Sequence, residues 1–386
     1  MVLGVCSKSS EGSIAKQRAW AWAILMIIIN WIPRTATLPF LWGNLNAVIE
    51  CLAVNLSIGV SIAKLIVLQC QRRVIGSILD EIARDCIAPK SKEEIVVTFE
   101  TAKTSRFISV MSVSLTNMMF IAYTIGQILT GLQTGGVSVV DSRIAFGCYF
   151  DSYFPFDTKN PIILIPIWLG QCFSTLLSMA SYTGPDSIVS MMVLHLCGQL
   201  RVIRHSLKNL VNEKTVRQPK NYWKTLIPIV QRHDELNKLS FLIKETFSSI
   251  LLVQMLVCSM TFCFQGYVMF TTLMDRNEDS PPMHNLGFAF VYAGVTVIHL
   301  FIYCYVGDKL LVESTEIPDD FYDTPWYDLA PEEAKAFLFV CHRSSIPLQL
   351  NAGKFCTFNL QLFNAIMKNS MGYLSMLMAM KDRLID

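Results

Sequence analysis

Charge is what this 386-residue chain has least of: 16% of its residues are Asp, Glu, Lys or Arg, against roughly 25% in soluble domains. A soluble chain of this length divides into about two or three domains, each with a polar surface to build, and the charge for those surfaces is missing. The formal net charge of +2 offers no basic field for phosphates, which excludes a nucleic-acid binder. Metal-binding spacings are missing as well. The six histidines form no HExxH motif, and His195 and His205 are ten positions apart on an expected helix, which does not bring both to one metal. The twelve cysteines contain no CxxC pair, so no disulfide framework is expected. The Gly-x-Gly-Asp context of an intramembrane aspartyl protease is absent: the residues are Tyr305-Val306-Gly307-Asp308, and Asp308 beside Lys309 reads as a boundary charge. No catalytic group, metal or cofactor is therefore expected, and the chain is not read as an enzyme.

What the chain does have is apolar length. Hydrophobic residues make up 52%, and the mean hydropathy is +0.42. Seven apolar runs occur, at 19–42, 47–70, 107–132, 161–200, 247–273, 285–306 and 355–380. Each is near or above the roughly 20 residues that span a bilayer as a helix, and lipid demands that such a run satisfy its own backbone. The first run holds Pro33, Pro39 and Arg34, so a kink or a partly interfacial course is expected there. A signal peptide is the rival reading of this segment. No small-residue cleavage site follows it, and Trp20, Trp22 and Trp31 resemble interfacial anchors, so a retained helix is preferred.

The basic residues are unevenly placed. Of 32, 24 fall in the segments 1–18, 71–106, 201–244 and 307–354, and five fall on the opposite side. The positive-inside rule then puts the N-terminus in the cytoplasm, and seven crossings put the C-terminus outside. That topology is inverted relative to G-protein-coupled receptors. The expected divisions are a cytoplasmic N-terminus (1–18), helices one to six with cytoplasmic extensions (19–306), a cytoplasmic anchor segment (307–354), the seventh helix (355–380) and an extracellular C-terminus (381–386). The 40-residue fourth run is about 60 Å long as a helix, so it must project into the cytoplasm. With the stretch around Arg232, His233, Asp234, Glu235 and Lys238 it predicts a cytoplasmic helical layer. The sequon Asn55-Leu56-Ser57 lies inside a run and reads as a buried polar pair. Asp186, at membrane depth, reads as a structural polar partner facing the protein interior.

The last run carries a pattern. Gln361, Asn364, Lys368, Gly372, Ser375 and Ala379 recur at helical spacing on one face, among Leu, Phe, Met and Ile. Such a stripe either packs against another helix or lines water, and spacing alone leaves both open.

Several segments resemble insect odorant receptors. The C-terminal part is the sharpest: Trp326-Tyr327, a helix expected from about 331 to 345, Leu350-Asn351-Ala352-Gly353-Lys354-Phe355, Asn359-Leu360-Gln361-Leu362-Phe363, and Lys368-Asn369-Ser370-Met371-Gly372-Tyr373-Leu374. Tyr153-Phe154-Pro155-Phe156-Asp157, Gln231-Arg232-His233-Asp234 and Tyr303-Cys304-Tyr305-Val306-Gly307 add to it. The style is closest to receptors of ants, bees and wasps, and the chain is similar to a tuning receptor rather than the coreceptor, whose long cytoplasmic insertion it lacks.

The resemblance implies an all-α, seven-helix subunit of a tetrameric, odorant-gated, non-selective cation channel. It implies assembly with the odorant receptor coreceptor, and a plasma-membrane location in olfactory neuron dendrites. Its partners would be coreceptor subunits, a small volatile ligand, membrane lipid and permeating cations. The seventh helix would line the pore, with the gate at Met376 and Met380 and with Asn369 and Tyr373 beside it. Met376 and Met380 sit on the flank of the polar stripe, so either the stripe faces a neighbour or the lining is broad. The ligand pocket, expected between helices two, three, four and six, would draw on Asn55, Gly59, Met119, Phe120, Tyr123, Gln171, Thr175, Phe290 and Gly294. A gustatory-type channel of the same fold and, behind it, a transporter are the alternatives. A transporter predicts internal repeats, which the sequence does not show.

Overall fold

Apolar runs with no water to bond their backbone close their own i to i−4 hydrogen bonds, and the runs fold accordingly. The computed structural model describes residues 11–43, 45–88, 91–134, 148–156, 158, 160–212, 219–274 and 283–385. The first run forms α1 (Glu11–Met26), a π-helical turn (Ile27–Trp31) and α2 (Ile32–Thr35). Pro33 supplies the reason for the widened turn. It has no N–H, and its ring crowds the carbonyl of Ile29, four residues back. The irregularity expected around Pro33 takes the form of this widened turn, and the helix stops before Pro39.

There follow α3 (Leu45–Cys70), α4 (Arg72–Ile87), α5 (Lys92–Thr134), α6 (Pro161–Lys208), α7 (Pro219–Met274) and α8 (Met283–Tyr322). After α9 (Pro331–Ser344), β1 (Asn351–Ala352) pairs antiparallel with β2 (Cys356–Thr357), and α10 (Leu360–Ile385) ends the chain. Among the described residues, α3, α5, α6, α7 and α8 are each long and apolar enough to cross a membrane. Phe107, Ile121, Ile162 and Leu169 point away from the bundle, an apolar exterior suited to lipid. The chain is a multi-pass membrane protein.

Three helices run well past their apolar cores. The third run begins at 107, yet α5 begins at Lys92. The fifth begins at 247, yet α7 begins at Pro219. The sixth ends at 306, yet α8 continues to Tyr322. The extensions are amphipathic: Leu236, Leu239, Ile243 and Phe247 are buried at helical spacing, while the charges between them lower the local hydropathy. With α4 and the end of α6 they form a charged helical layer at one end of the bundle, cored by Leu200, Ile203, Leu207, Tyr222, Phe321 and Phe337.

Ion pairs clamp this layer. Arg204 reaches Glu313 at 2.9 Å and Asp320 at 2.5 Å, and Lys208 reaches Asp320 at 3.0 Å. Asp85 of α4 bonds His195 at 3.0 Å and also Arg232. Burial pushes the Asp85 carboxyl up, but the bonds from His195 and Arg232 outweigh it and hold the group below the usual carboxylate range. His205 meets Glu93 at 3.4 Å, so the two histidines serve separate pairs. No metal-ligand cluster occurs among the described residues.

The seventh apolar run is not helical throughout. Residues 355–359 belong to the hairpin and the helix cap, and α10 opens at Leu360 rather than at 355. Gly353 turns the hairpin at φ +60°, a conformation that costs a glycine nothing. Its N–H donates to the Ser248 carbonyl at 3.0 Å, and the Ser248 hydroxyl donates to its carbonyl at 3.0 Å. Asn359 Oδ1 accepts from the Leu362 amide at 2.7 Å and Asp308 Oδ1 from the Leu360 amide at 3.3 Å. Asp308 is thus more than a boundary charge: it helps cap α10.

Candidate functional site

Toward the end of the bundle away from the charged layer, α3, α5, α6 and α8 splay apart around a cavity of about 90 Å³. Each helix contributes one face. Val54, Ser57, Ile58 and Ser61 of α3 follow helical spacing, as do Thr116, Met119 and Tyr123 of α5 and Thr175, Ser178, Met179 and Tyr182 of α6. From α8 come Phe288, Tyr292, Val295 and Thr296. Tyr149 and Phe150 enter from the segment before α6. Gln171 holds that segment inward, accepting from the Phe150 amide at 3.2 Å and donating to Ser152 at 2.9 Å. Arg34 lies over the Phe150 ring, 4.7 Å from its centroid.

The wall is apolar and aromatic with many hydroxyls, but nearly all of their hydrogens are already used. Ser61, Thr116, Thr175 and Thr296 each donate to the carbonyl four residues back, at 2.7–2.9 Å. Tyr123 donates to the Tyr149 carbonyl at 3.2 Å. Tyr292 donates to the Ala53 carbonyl at 3.0 Å, which leaves Ser57 to donate to Tyr292 at 2.6 Å. Thr124 donates to the Phe120 carbonyl, which leaves Tyr149 to donate to Thr124 at 3.0 Å.

Between the cavity and the charged layer lies an ionic cluster. Lys64 of α3 bonds Asp186 of α6 at 2.5 Å, and both side chains are almost fully buried. Tyr303 of α8 donates to the same carboxylate oxygen. The Lys64 ammonium also donates to the Tyr182 carbonyl at 3.1 Å and sits 3.9 Å from the Tyr182 ring centroid. His299 donates from Nδ1 to the Val295 carbonyl at 2.8 Å and accepts from Ser112 at 2.9 Å. Tyr182 therefore belongs to both cavity and cluster. Tyr303 in turn packs on Phe358, with ring centroids 5.8 Å apart, just before α10.

One side of α10 packs within the chain. Phe363 meets Phe301, Ser370 meets Ser259 at 3.1 Å, and Leu374 fills the space beside Gly266. The opposite side has no intrachain cover. Gln361, Asn364, Lys368, Gly372, Ser375 and Ala379 are all exposed, and so are Asn369, Tyr373 and Met376. The polar stripe and the expected gate positions thus share one broad face. Lys368 has no carboxylate partner among the described residues. The side chain of Met380 lies outside the described residues.

Of the residues expected to line a pocket, Met119, Tyr123 and Thr175 meet in the cavity. The others do not line it. Asn55 faces α2, donating to Thr35 at 3.4 Å. A side chain on Gly59 would contact Trp31 at 3.6 Å. Phe120 packs on Tyr149 from behind, and Gln171 positions the Phe150 segment. Phe290 is 67% exposed and Gly294 faces open space. Sequence reasoning missed Ser57, Ser178, Tyr149, Phe150, Phe288 and Tyr292. For Ser57 and Tyr292 the signal available was spacing: they lie two residues from Asn55 and Gly294, which on a helix is the opposite face.

A family model described as 7tm odorant receptor matches residues 44–371. Odorant receptor 13a of Drosophila melanogaster is 21% identical over 385 residues, covering 93% of this chain and 86% of that protein. The odorant receptor coreceptor of Aedes aegypti is 28% identical over 171 residues, 44% of this chain and 33% of the coreceptor. The fold matches that of the insect olfactory receptor OR5 from Machilis hrabei with a TM-score of 0.79 at 12% identity, covering 96% of this chain and 91% of that one. The same receptor in complex with eugenol matches with a TM-score of 0.79. The family match spans most of the chain, through every helix that forms the cavity, and on that ground the chain belongs to the insect odorant receptor family and to no enzyme family.

Proposed function

We propose that the chain is a tuning subunit of an odorant-gated, non-selective cation channel, binding a compact volatile in the cavity between α3, α5, α6 and α8. The observation that carries this reading is the pairing of two features. A partly open, largely apolar cavity lies between the apolar helices, and a helix nearby presents an uncovered polar face (α10) that a single chain cannot close into a pore. Four such faces around an axis enclose water, with Met376 and Met380 as the constriction and Asn369 and Tyr373 beside it. The coreceptor's similarity to this chain supports assembly with coreceptor subunits, and the eugenol complex of OR5 supports a small organic ligand. The N-terminus is cytoplasmic and the C-terminus extracellular, with the charged layer inside, following the basic-residue bias. The complex acts at the plasma membrane of olfactory neuron dendrites.

Ligand binds mainly through apolar burial at about 25 cal/mol per Å², and it opens the pore only by fitting the open state better than the closed one. Cells expressing the chain with the coreceptor are expected to pass inward cation current to part of a volatile panel. Met376→Ala or Met380→Ala is expected to change its basal or evoked size. Silence across a broad panel, with the chain labelled at the cell surface, contradicts the channel reading; unchanged conductance and gating in both variants removes those methionines from the constriction.

A further inference from the structure

We infer that Ser178 is the polar anchor of the cavity, and that it selects compact, mainly apolar molecules carrying a carbonyl or ether oxygen. This rests on the cavity being the ligand site. Ser178 lines the cavity on the same face of α6 as Thr175 and Tyr182, and it is 5% exposed. A buried helical serine ordinarily returns its hydrogen to the carbonyl four residues back, as Ser61 of α3 and, with its own hydroxyl, Thr175 do here. Ser178 makes no such bond to Ser174, and its hydroxyl has no partner among the described residues. Ser174, Ser181, Ser187 and Ser190 of α6 also leave their hydroxyls unpartnered, but of these five serines Ser178 alone lines the cavity, where a ligand oxygen can supply the partner that a buried hydroxyl lacks.

The accounting of the remaining wall hydroxyls makes the inference specific. Ser57 spends its hydrogen on Tyr292, Tyr149 on Thr124, and Tyr123 and Tyr292 on backbone carbonyls, and the threonines spend theirs on the helix. Tyr182 accepts from Gln254 at 2.5 Å, and its own hydrogen faces Cys258 Sγ at 3.8 Å. A ligand that can only accept therefore finds its free donor at Ser178. A ligand that can donate finds acceptor oxygens all around the wall, because each committed hydroxyl keeps lone pairs. An apolar ligand uses none of them. Discrimination by a buried polar group depends on leaving it unpaired with the wrong ligand, and Ser178 is the group so placed.

The test uses three ligands of one shape: cyclohexanone, cyclohexanol and cyclohexane. Binding to the purified full-length chain in detergent is titrated by ligand-observed NMR, which needs no current. Wild type is expected to prefer the ketone to the hydrocarbon. Ser178→Ala should weaken the ketone about fivefold, leave the hydrocarbon within about twofold, and affect the alcohol less than the ketone. Ser178→Thr, which keeps the hydroxyl, should restore the ketone preference. Ser174→Ala, which removes an unpartnered hydroxyl of the same helix outside the cavity wall, should leave the ketone-to-hydrocarbon ratio unchanged. Equal weakening of all three ligands in Ser178→Ala, or a ketone preference that survives it, overturns the inference. Because binding is read directly, ketone selectivity lost in Ser178→Ala supports the anchor even where co-expressed cells stay silent, an outcome that contradicts only the channel reading.

Discussion

Lys64→Met is expected to destabilise the folded chain by about 3–5 kcal/mol, because removing one partner strands a buried charge. Asp186 lies 3% exposed, and its second carboxylate oxygen has no hydrogen bond even in the intact protein. Tyr303 still donates to the first oxygen after the substitution, but one phenol does not replace an ammonium. The double variant Lys64→Met/Asp186→Leu should recover most of the loss, since an apolar pair of similar volume often matches a buried ion pair. The two substitutions are therefore strongly non-additive, as residues in direct contact tend to be. Melting of the detergent-purified chain, followed by intrinsic tryptophan fluorescence, measures Lys64→Met, Asp186→Leu, the double variant and wild type. A single variant that melts with wild type, or a double variant at the sum of the singles, removes the ion pair from its role. The ion pair joins α3 to α6 just below the cavity, and its neighbour Tyr182 forms part of the cavity wall. A folded but loosened cluster should accordingly show weaker ligand binding as well.

Gly307→Ala is the second large effect. A Cβ there would stand 2.5 Å from the Phe358 carbonyl oxygen and 2.8 Å from its Cβ. The obstacle is backbone, and it is fixed: the Phe358 amide donates to the Leu350 carbonyl at 2.8 Å, and α10 starts two residues later. Overpacking of this kind typically costs about 1–3 kcal/mol, and here the segment that must yield is the one that aims α10. Gly266→Ala is the comparison. Its Cβ would come within 2.9 Å of a Leu374 methyl, the end of a side chain that can rotate away. Gly307→Ala should therefore lower the melting temperature and surface level well below those of Gly266→Ala. Equal behaviour of the two would mean that the hairpin does not hold the start of α10 rigidly.

Much of this architecture is legible in the sequence, for a physical reason: lipid forces long apolar runs into helices, so hydropathy alone marks α3, the core of α5 and α6. A hydropathy scan marks only the apolar cores of α5, α7 and α8, because charged residues in their extensions offset the leucines and isoleucines that core the layer; the periodic stretch around Arg232 is the signal that remains. The start of α10 is misread for the opposite reason. Phe355 and Cys356 are apolar, yet Gly353 and Asn359 turn and cap the chain around them.

The cavity is legible only in depth. Met119, Tyr123 and Thr175 lie at the right level and on the right face. Asn55, Phe290 and Gly294 share the level but face elsewhere, because a helix apolar on every side carries little information about its rotation. Tyr149 and Phe150 come from an irregular segment with no period to follow. Asp186 and Lys64 each stand out as charges inside runs, but nothing in the sequence pairs two residues 122 positions apart.

On the proposed function, a volatile seated in this cavity opens the channel. Ser61→Phe tests it by placing a ring in a space of about 90 Å³. The measurement is the dose–response of evoked current, with the coreceptor present and surface labelling matched to wild type. The response to every active volatile is expected to fall by tenfold or more in potency, or to disappear, because the cavity is filled by the protein itself. An unchanged dose–response curve, with Ser61→Phe at the surface in wild-type amount, would contradict it.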